Sequence, residues 1–258
     1  MNFLINFLIR IPIFKRIIPS IYKRYVFFTK NYNKEIKIKN VIYDLDLRHL
    51  IDRRFFFFHG YEDELFLPLK KIIHKYNISC FLDIGSCWGL YSLRLAGCFK
   101  HLKIFSFDPI KKNISRLTNS IKKNNFTNIK CYHTAIGSKK GIVSLGATED
   151  YSPNYEINNY NSVINESSEL NYLDDLLKMQ NKYIALKIDT EGFELEVLNG
   201  AKTLLKNNKC FCQIEIKEDN FNDIMIFFKN LNYDLISINK KNKTDFLFSN
   251  FINKSIEI

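Results

Sequence analysis

The residues whose spacing carries most chemistry are Asp83-Ile84-Gly85-Ser86-Cys87-Trp88-Gly89, which end an apolar run, Cys80-Phe81-Leu82, and open an amphipathic one, Leu90-Tyr91-Ser92-Leu93. Strand, glycine turn and helix in that order suit a nucleotide, because a helix N-terminus presents unpaired N–H groups to an anion. A second apolar run, Ile104-Phe105-Ser106-Phe107, stops at Asp108. That acid lies about 20 residues beyond Gly89, the interval at which a doubly wound fold sets a carboxylate on a ribose. Gly85 lets the backbone turn and approach a ligand, Gly89 lets the helix pack on its strand, and Asp108 accepts hydrogen bonds from both ribose hydroxyls.

The loop reads D-x-G-x-x-x-G and lacks the middle glycine of the G-x-G-x-x-G that cradles a pyrophosphate. It suits a nucleoside carrying an amino acid, with helix-terminal N–H groups on the carboxylate and Asp83 attracting the ammonium. S-adenosylmethionine is such a molecule and is the expected cofactor. No metal is expected: the six cysteines (Cys80, Cys87, Cys98, Cys131, Cys210, Cys212) form no C-x-x-C pair and have no His at ligand spacing, so they read as buried apolar residues in a reducing compartment.

A second group of acids follows the apolar strand Tyr183–Ile188, in Asp189-Thr190-Glu191-Gly192-Phe193-Glu194. Ligands of doubly wound sheets sit over the carboxyl ends of the strands where the winding reverses, which brings Asp189 close to the Gly85 loop. Lys187 is a cation inside an apolar strand, and Asp189 is its partner two residues on, as a structural ion pair or a catalytic one. Glu194 and Glu196 read as first-turn acids that complement the helix dipole. Glu215, which ends the run Cys212-Gln213-Ile214, adds an acid at the same rim, while His59 and His133 read as structural hydrogen-bonders.

These groups need a scaffold, and 258 residues suffice for one α/β core plus an extension. Helical periodicity over 61–76 leads to a strand at 80–84. Then follow strand 103–107, helix 111–124, strands 129–134 and 182–188, helix 192–205, strand 210–216, helix 220–231, and strands near 234–238 and 244–249. Such alternation demands a doubly wound, mostly parallel sheet with helices on both faces. Between Gly146 and Leu170 the pattern dissolves into Tyr, Asn, Ser and Glu, which reads as a long polar loop, a functional lid or disordered chain.

The net charge is +11, from 38 Lys+Arg against 27 Asp+Glu, which raises nucleic acid, an anionic membrane surface and acidic substrates as partners. Lysine is abundant throughout, as in chains from AT-rich genomes, so only the N-terminus stands out. Residues 1–34 hold seven basic side chains and no acid. Their longest charge-free run ends at Arg10, too short to span a bilayer, and no basic region precedes it as in a secretory signal. A basic amphipathic arm over 1–54, lying on a membrane or packed on protein, therefore precedes a catalytic domain over 55–258.

The motifs resemble those of the FkbM-type S-adenosylmethionine-dependent methyltransferases. That family's glycine loop reads D-[IV]-G-A-N-x-G, matched by Asp83 to Gly89 except for Ser86 and Cys87. Its ribose segment, F-E-P-x-P-x-N, corresponds to Phe107-Asp108-Pro109-Ile110-Lys111-Lys112-Asn113, with Asp for Glu and Lys111 for the second proline. Its L-D-x-L and K-I-D-x-E-G-x-E correspond to Leu173–Leu176 and Lys187–Glu194, and Gly60-Tyr61-Glu62 matches a short G-x-E element. The resemblance covers roughly 55–250 and implies a Rossmann-like methyltransferase fold with a final antiparallel strand, beyond the N-terminal helical arm.

It further implies a cofactor set of Glu62, Asp83, Gly85, Ser86, Cys87, Gly89, Asp108, Pro109 and Asn113. The implied reaction is O-methylation of a hydroxyl on a sugar of a surface glycan or on a secondary metabolite. Asp189 or Glu191 is the expected base or acceptor-orienting group, with Lys187 fixing the carboxylate and Glu215 a further candidate. Nucleic-acid methylation is disfavoured, since no N-P-P-[YF], D-P-P-Y or Pro-Cys motif occurs. RNA ribose methylation and a membrane-peripheral scaffold with a degenerate cofactor site are the alternatives. The expected location is the cytoplasm, peripheral to the inner face of the membrane.

Overall fold

The computed structural model describes residues 12–147, 156–157, 164–238 and 244–252. The chain divides into two compact units, one running to Asp63 and the other starting at Glu64.

In the first unit, helix α1 (Pro12–Thr29) leads to a hairpin of β1 (Asn33–Ile38) and β2 (Val41–Asp46), then helix α2 (Leu50–Phe58). Pro19 lies inside α1 without ending it. The hairpin turns on Lys39 and Asn40, both at positive φ (47° and 67°), as a two-residue turn matched to strand twist demands. Aromatic packing holds the unit: Tyr43 meets Phe55 edge-on at 4.8 Å, and Tyr22 of α1 stacks on Phe56 of α2 at 5.7 Å.

The second unit begins with helix α3 (Asp63–Lys75), whose first residue closes the first unit, then strand β3 (Cys80–Ile84), helix α4 (Leu90–Cys98), strand β4 (Lys103–Asp108), helix α5 (Lys111–Asn124) and strand β5 (Ile129–His133). After β6 (Ala135–Ile136), β7 (Gly141–Ala147), β8 (Glu156–Ile157) and β9 (Ile164–Asn171) come the short helix α6 (Leu173–Leu176) and strand β10 (Tyr183–Ile188). Helices α7 (Glu194–Asn199) and α8 (Lys202–Asn207), strand β11 (Lys209–Glu215), helix α9 (Phe221–Asn230) and strands β12 (Asp234–Ile238) and β13 (Asp245–Ser249) complete it.

Seven strands form one sheet in the order β12-β13-β11-β10-β3-β4-β5. The neighbours from β11 to β5 are parallel, and β13 runs antiparallel to both β11 and β12. This is the doubly wound α/β fold with a final antiparallel strand, preceded by an N-terminal helix. The winding reverses between β3 and β10, where ligands bind in such sheets.

Strand period 2 sorts the central strands onto two faces. Leu82, Ile84, Leu186, Ile188, Cys212 and Ile214 point to a core completed by Val197, Leu198, Leu204, Ile224 and Phe228. On the opposite face Phe81 and Ala185 alternate with polar Asp83, Lys187 and Gln213, all buried. Of the six cysteines expected to be buried, Cys80, Cys210 and Cys212 are, with burial pushing the Cys80 and Cys210 thiols up to about 12, whereas Cys87 and Cys131 are half-buried and Cys98 is exposed.

The expected polar loop over 146–170 needs correction. Ile164–Asn171 is a strand, β9, paired antiparallel along the whole of β7 in a second sheet ordered β6-β9-β7-β8. Residues 148–155 and 158–163 lie outside the described residues. The single helix expected over 192–205 is two, split at Gly200. A side chain there would collide with the Gly137 carbonyl oxygen, 1.8 Å from its Cβ position.

Candidate active site

Backbone bonds set the glycine loop. The N–H groups of Gly85 and Ser86 both donate to the Phe107 carbonyl, which ties the loop to the end of β4. Gly85 has φ +76°, and a Cβ there would lie 1.8 Å from the Asp189 carbonyl oxygen. Its missing side chain thus lets the loop and the end of β10 touch, main chain to main chain. Gly89 (φ +82°) leaves room for Leu117 of α5 rather than for its own strand. Cys87 also takes positive φ, 50°, so the loop turns twice within three residues.

Asp108 clamps this turn. Its Oδ2 accepts from the Cys87 N–H (2.8 Å), and its Oδ1 accepts from the Ile110 N–H (2.9 Å) and the Asn113 amide (3.0 Å). One carboxylate therefore holds the glycine loop and the start of α5 together. A carboxylate has about four acceptor positions, so one remains for a ligand hydroxyl, where two ribose bonds were expected. Burial pushes the Asp108 carboxyl up to about 7, against the pull of its three donors. The Pro109 carbonyl lies 2.9 Å from His133 Nε2. Ser86 Oγ is buried and has no hydrogen-bond partner among the described residues. That orphaned hydroxyl and the spare Asp108 position fit a polar nucleoside at this loop.

Below the loop a polar row crosses the sheet in register: Ser106, Asp83, Lys187 and Gln213 on β4, β3, β10 and β11. Asp83 is 1% exposed and accepts from Ser92 Oγ at 2.6 Å, while Ser92 and Ser106 hydroxyls lie 2.7 Å apart. Burial raises the Asp83 pKa, opposed by Lys187 and the Ser92 bond. Asp83 is thus buried, with Ser92 as a hydrogen-bond donor and Lys187 beside it in register. Lys187 Nζ donates to Asp189 Oδ2 at 2.7 Å and lies 5.0 Å from the Tyr91 ring centroid. The pair foreseen between Lys187 and Asp189 is formed.

Acids and cations then crowd the rim of β10 and β11. Burial would raise the Asp189 pKa, but Lys187, a hydrogen bond with Glu215 and the Lys217 charge outweigh it and hold the carboxyl below its ordinary value. Burial and the Asp189 charge push Glu215 up to about 8. At neutral pH Glu215 therefore keeps its proton and donates it to ionised Asp189. Burial and Asp189 also raise Glu191, whose Oε2 lies 3.3 Å from Lys217 Nζ. The rim holds one firmly ionised acid beside one protonated acid, an arrangement able to receive and pass on a proton.

Several residues of this region escape sequence reasoning. Glu194 does more than face a helix dipole: it is buried, and its Oε1 accepts from Thr190 N (3.1 Å), Thr190 Oγ1 (3.0 Å) and Gly192 N (2.9 Å), which locks the turn that carries Glu191. Asp174 caps α8 through the N–H groups of Thr203 and Leu204, both at 2.7 Å. Tyr91, Ser92 and Lys217 carry no motif, whereas Gln213 has a readable signal, a polar residue inside an apolar strand. Glu62 belongs to the first unit, half-buried at positive φ (50°).

The family described as Methyltransferase FkbM domain matches residues 80–235, which spans both glycine loop and rim. Among solved structures the chain is similar to an FkbM methyltransferase from Methylobacillus flagellatus KT, with TM-score 0.51 and 17% identity over 67% of this chain and 43% of that one. This chain therefore spans less than half of that protein's length. Weaker overlaps include a precorrin-6y C5,15-methyltransferase from Geobacter metallireducens GS-15 (TM-score 0.43, 11% identity, 74% and 88% covered). Another is a tRNA (uracil-54, C5)-methyltransferase from Pyrococcus abyssi solved with S-adenosyl-L-homocysteine (TM-score 0.44, 11% identity, 84% and 43% covered). A search of curated protein sequences returned no significant match.

Proposed function

Because this chain belongs to the FkbM methyltransferase family, we propose that it transfers the methyl group of S-adenosylmethionine to a hydroxyl oxygen on a surface-glycan sugar or a secondary metabolite. The observation that carries this reading is ionised Asp189, held by Lys187 at 2.7 Å and touching the Gly85 loop through its own backbone. A group that can take a hydroxyl proton thereby borders the loop assigned to the cofactor.

When bound, S-adenosylmethionine supplies an activated sulfonium methyl. In this reading Asp108 offers its spare acceptor position to a ribose hydroxyl, and Ser86 Oγ, Cys87 and the N–H groups at the start of α4 line the loop for the remaining polar atoms. Asn113 and the Ile110 N–H fix Asp108 in place for this. Holding an acceptor oxygen in line with the methyl and sulfur contributes about 7–11 kcal/mol by positioning alone. Proton removal is the remaining demand, because an aliphatic hydroxyl becomes nucleophilic as its proton departs. Asp189 accepts that proton, worth about 10²–10⁴ in rate for a well-placed base. Glu215 stabilises the ionised state of Asp189 beforehand, and Glu191, fixed by Lys217 and the Glu194-locked turn, orients the acceptor. In this reading the protein works in the cytoplasm, where buried cysteines such as Cys80 and Cys210 stay reduced.

Incubation with methyl-labelled S-adenosylmethionine and glycan and metabolite extracts tests the reading. Label should enter a base-stable ether, and Asp189→Asn should lower transfer at least 10²-fold while cofactor binding persists. Label in RNA or protein, or undiminished transfer by Asp189→Asn, contradicts it.

A further inference from the structure

Helix α1 has one apolar face more than the first unit uses. Its inward side is occupied: Val26 is 1% exposed, and Tyr22 stacks on Phe56 and meets Phe57 edge-on at 5.2 Å. Its outward side carries Ile17, Ile21, Tyr25 and Phe28, exposed by 45%, 61%, 56% and 89%. Spacings of four, four and three residues place all four along one stripe of the helix. A scattered exposed apolar side chain needs no explanation, but a registered row ending in a nearly bare phenylalanine does.

The charges around the row identify what covers it. From Pro12 to Lys30 the basic residues are Lys15, Arg16, Lys23, Arg24 and Lys30, and there is no acid. Arg24 sits within the stripe between Ile21 and Phe28, and Lys23 lies 5.9 Å from the Phe27 ring centroid, so cationic ends border the apolar surface. A second copy of α1 would bring its four cations against the same four. An anionic bilayer surface satisfies both features, because apolar side chains sink into the headgroup boundary while Lys and Arg reach the phosphates. The helix has 18 residues, about 27 Å at 1.5 Å each, and no described helix is long and apolar enough to cross a membrane. We propose that the outward face of α1 lies in the plane of an anionic membrane and holds this protein at its surface. The inference is independent of the methyl-transfer reading.

Flotation of the full chain with phosphatidylglycerol/phosphatidylcholine vesicles, and with pure phosphatidylcholine, tests it. Binding should be at least tenfold tighter to the anionic vesicles, since each basic residue near such a surface contributes about fivefold. Ile21→Glu/Phe28→Glu should reduce binding at least tenfold with unchanged thermal unfolding, as both positions face solvent. Lys23→Glu/Arg24→Glu should weaken it at least tenfold and flatten its salt dependence. The proposal is overturned by absent vesicle binding, equal binding to both lipids, or full binding by the Ile21→Glu/Phe28→Glu variant. Sedimentation showing a dimer that this variant abolishes, without vesicle binding, would assign the face to self-association instead.

Discussion

Replacing Lys187 with Met isolates the electrostatics of the rim, because Met keeps most of the aliphatic stem and removes only the charge. In the wild type Lys187 is 7% exposed, bonds Asp189 at 2.7 Å and lies in register with Asp83, itself 1% exposed. Without it Asp83 and Asp189 lose the cation they share, while Lys217 still acts on Asp189. Breaking a buried pair from one side costs about 3–5 kcal/mol. The Asp189 side chain is 30% exposed and water can solvate part of its charge, which favours the lower end of that range. At about 2–4 °C per kcal/mol for a domain of this size, Tm should fall by roughly 6–12 °C. The pH dependence gives a sharper check. The folded pKa of Asp83 is already raised by burial, and losing Lys187 raises it further. A raised folded pKa contributes stability that is full below the unfolded value of about 3.9 and is lost as pH rises through the folded one. The deficit of Lys187→Met should therefore be smaller at pH 5 than at pH 7.5, and Asp83→Asn should restore part of it in the double variant. Circular-dichroism melts measure all three quantities. A fall below 3 °C, equal at both pH values and unaffected by Asp83→Asn, refutes the coupling across the row.

Gly85→Ala should destabilise more than Gly89→Ala, although left-handed strain costs each about 1–2 kcal/mol. The new Cβ meets a fixed carbonyl at Gly85 and the end of a Leu117 side chain at Gly89, so equal losses of Tm would count against the loop geometry. Because Glu215 holds its proton up to about pH 8, kcat/KM for the acceptor at saturating cofactor should fall above that point, and Glu215→Gln should remove the fall. A rise through pH 8 would make Glu215 itself the base. Glu194→Ala strips three donors of one buried carboxylate and should cost about 2–4 kcal/mol in thermal unfolding; a change under 1 kcal/mol would show that the turn stands without it.

The parallel strands were legible because both their faces are buried, which turns Cys80–Ile84, Lys103–Asp108 and Tyr183–Ile188 into short apolar runs ending at acids. The position of Asp189 beside the loop followed from the winding rule alone. Strand β9 hid itself: Ile164–Asn171 carries few apolar residues, and its pairing with β7 lies in backbone bonds that composition does not display. The split at Gly200 depends on the approach of Gly137, a contact with no helical period. The N-terminal hairpin did leave a signal, Ile36 and Ile38 alternating with Glu35 and Lys37 ahead of Asn40, but its turn lacks the Asn-Gly that marks most such hairpins. Asp108 was found by spacing, yet its three internal bonds were not, because main-chain donors leave no trace in residue types.

Calorimetric titration with S-adenosylmethionine addresses the central assignment, that the glycine loop and Asp108 hold this cofactor. Wild type should bind it with micromolar Kd, and Asp108→Ala, checked for folding by its melt, should bind about 10–100-fold more weakly, the worth of one bond to a charged acceptor. No heat from wild type at millimolar ligand, or equal affinity in folded Asp108→Ala, would contradict it.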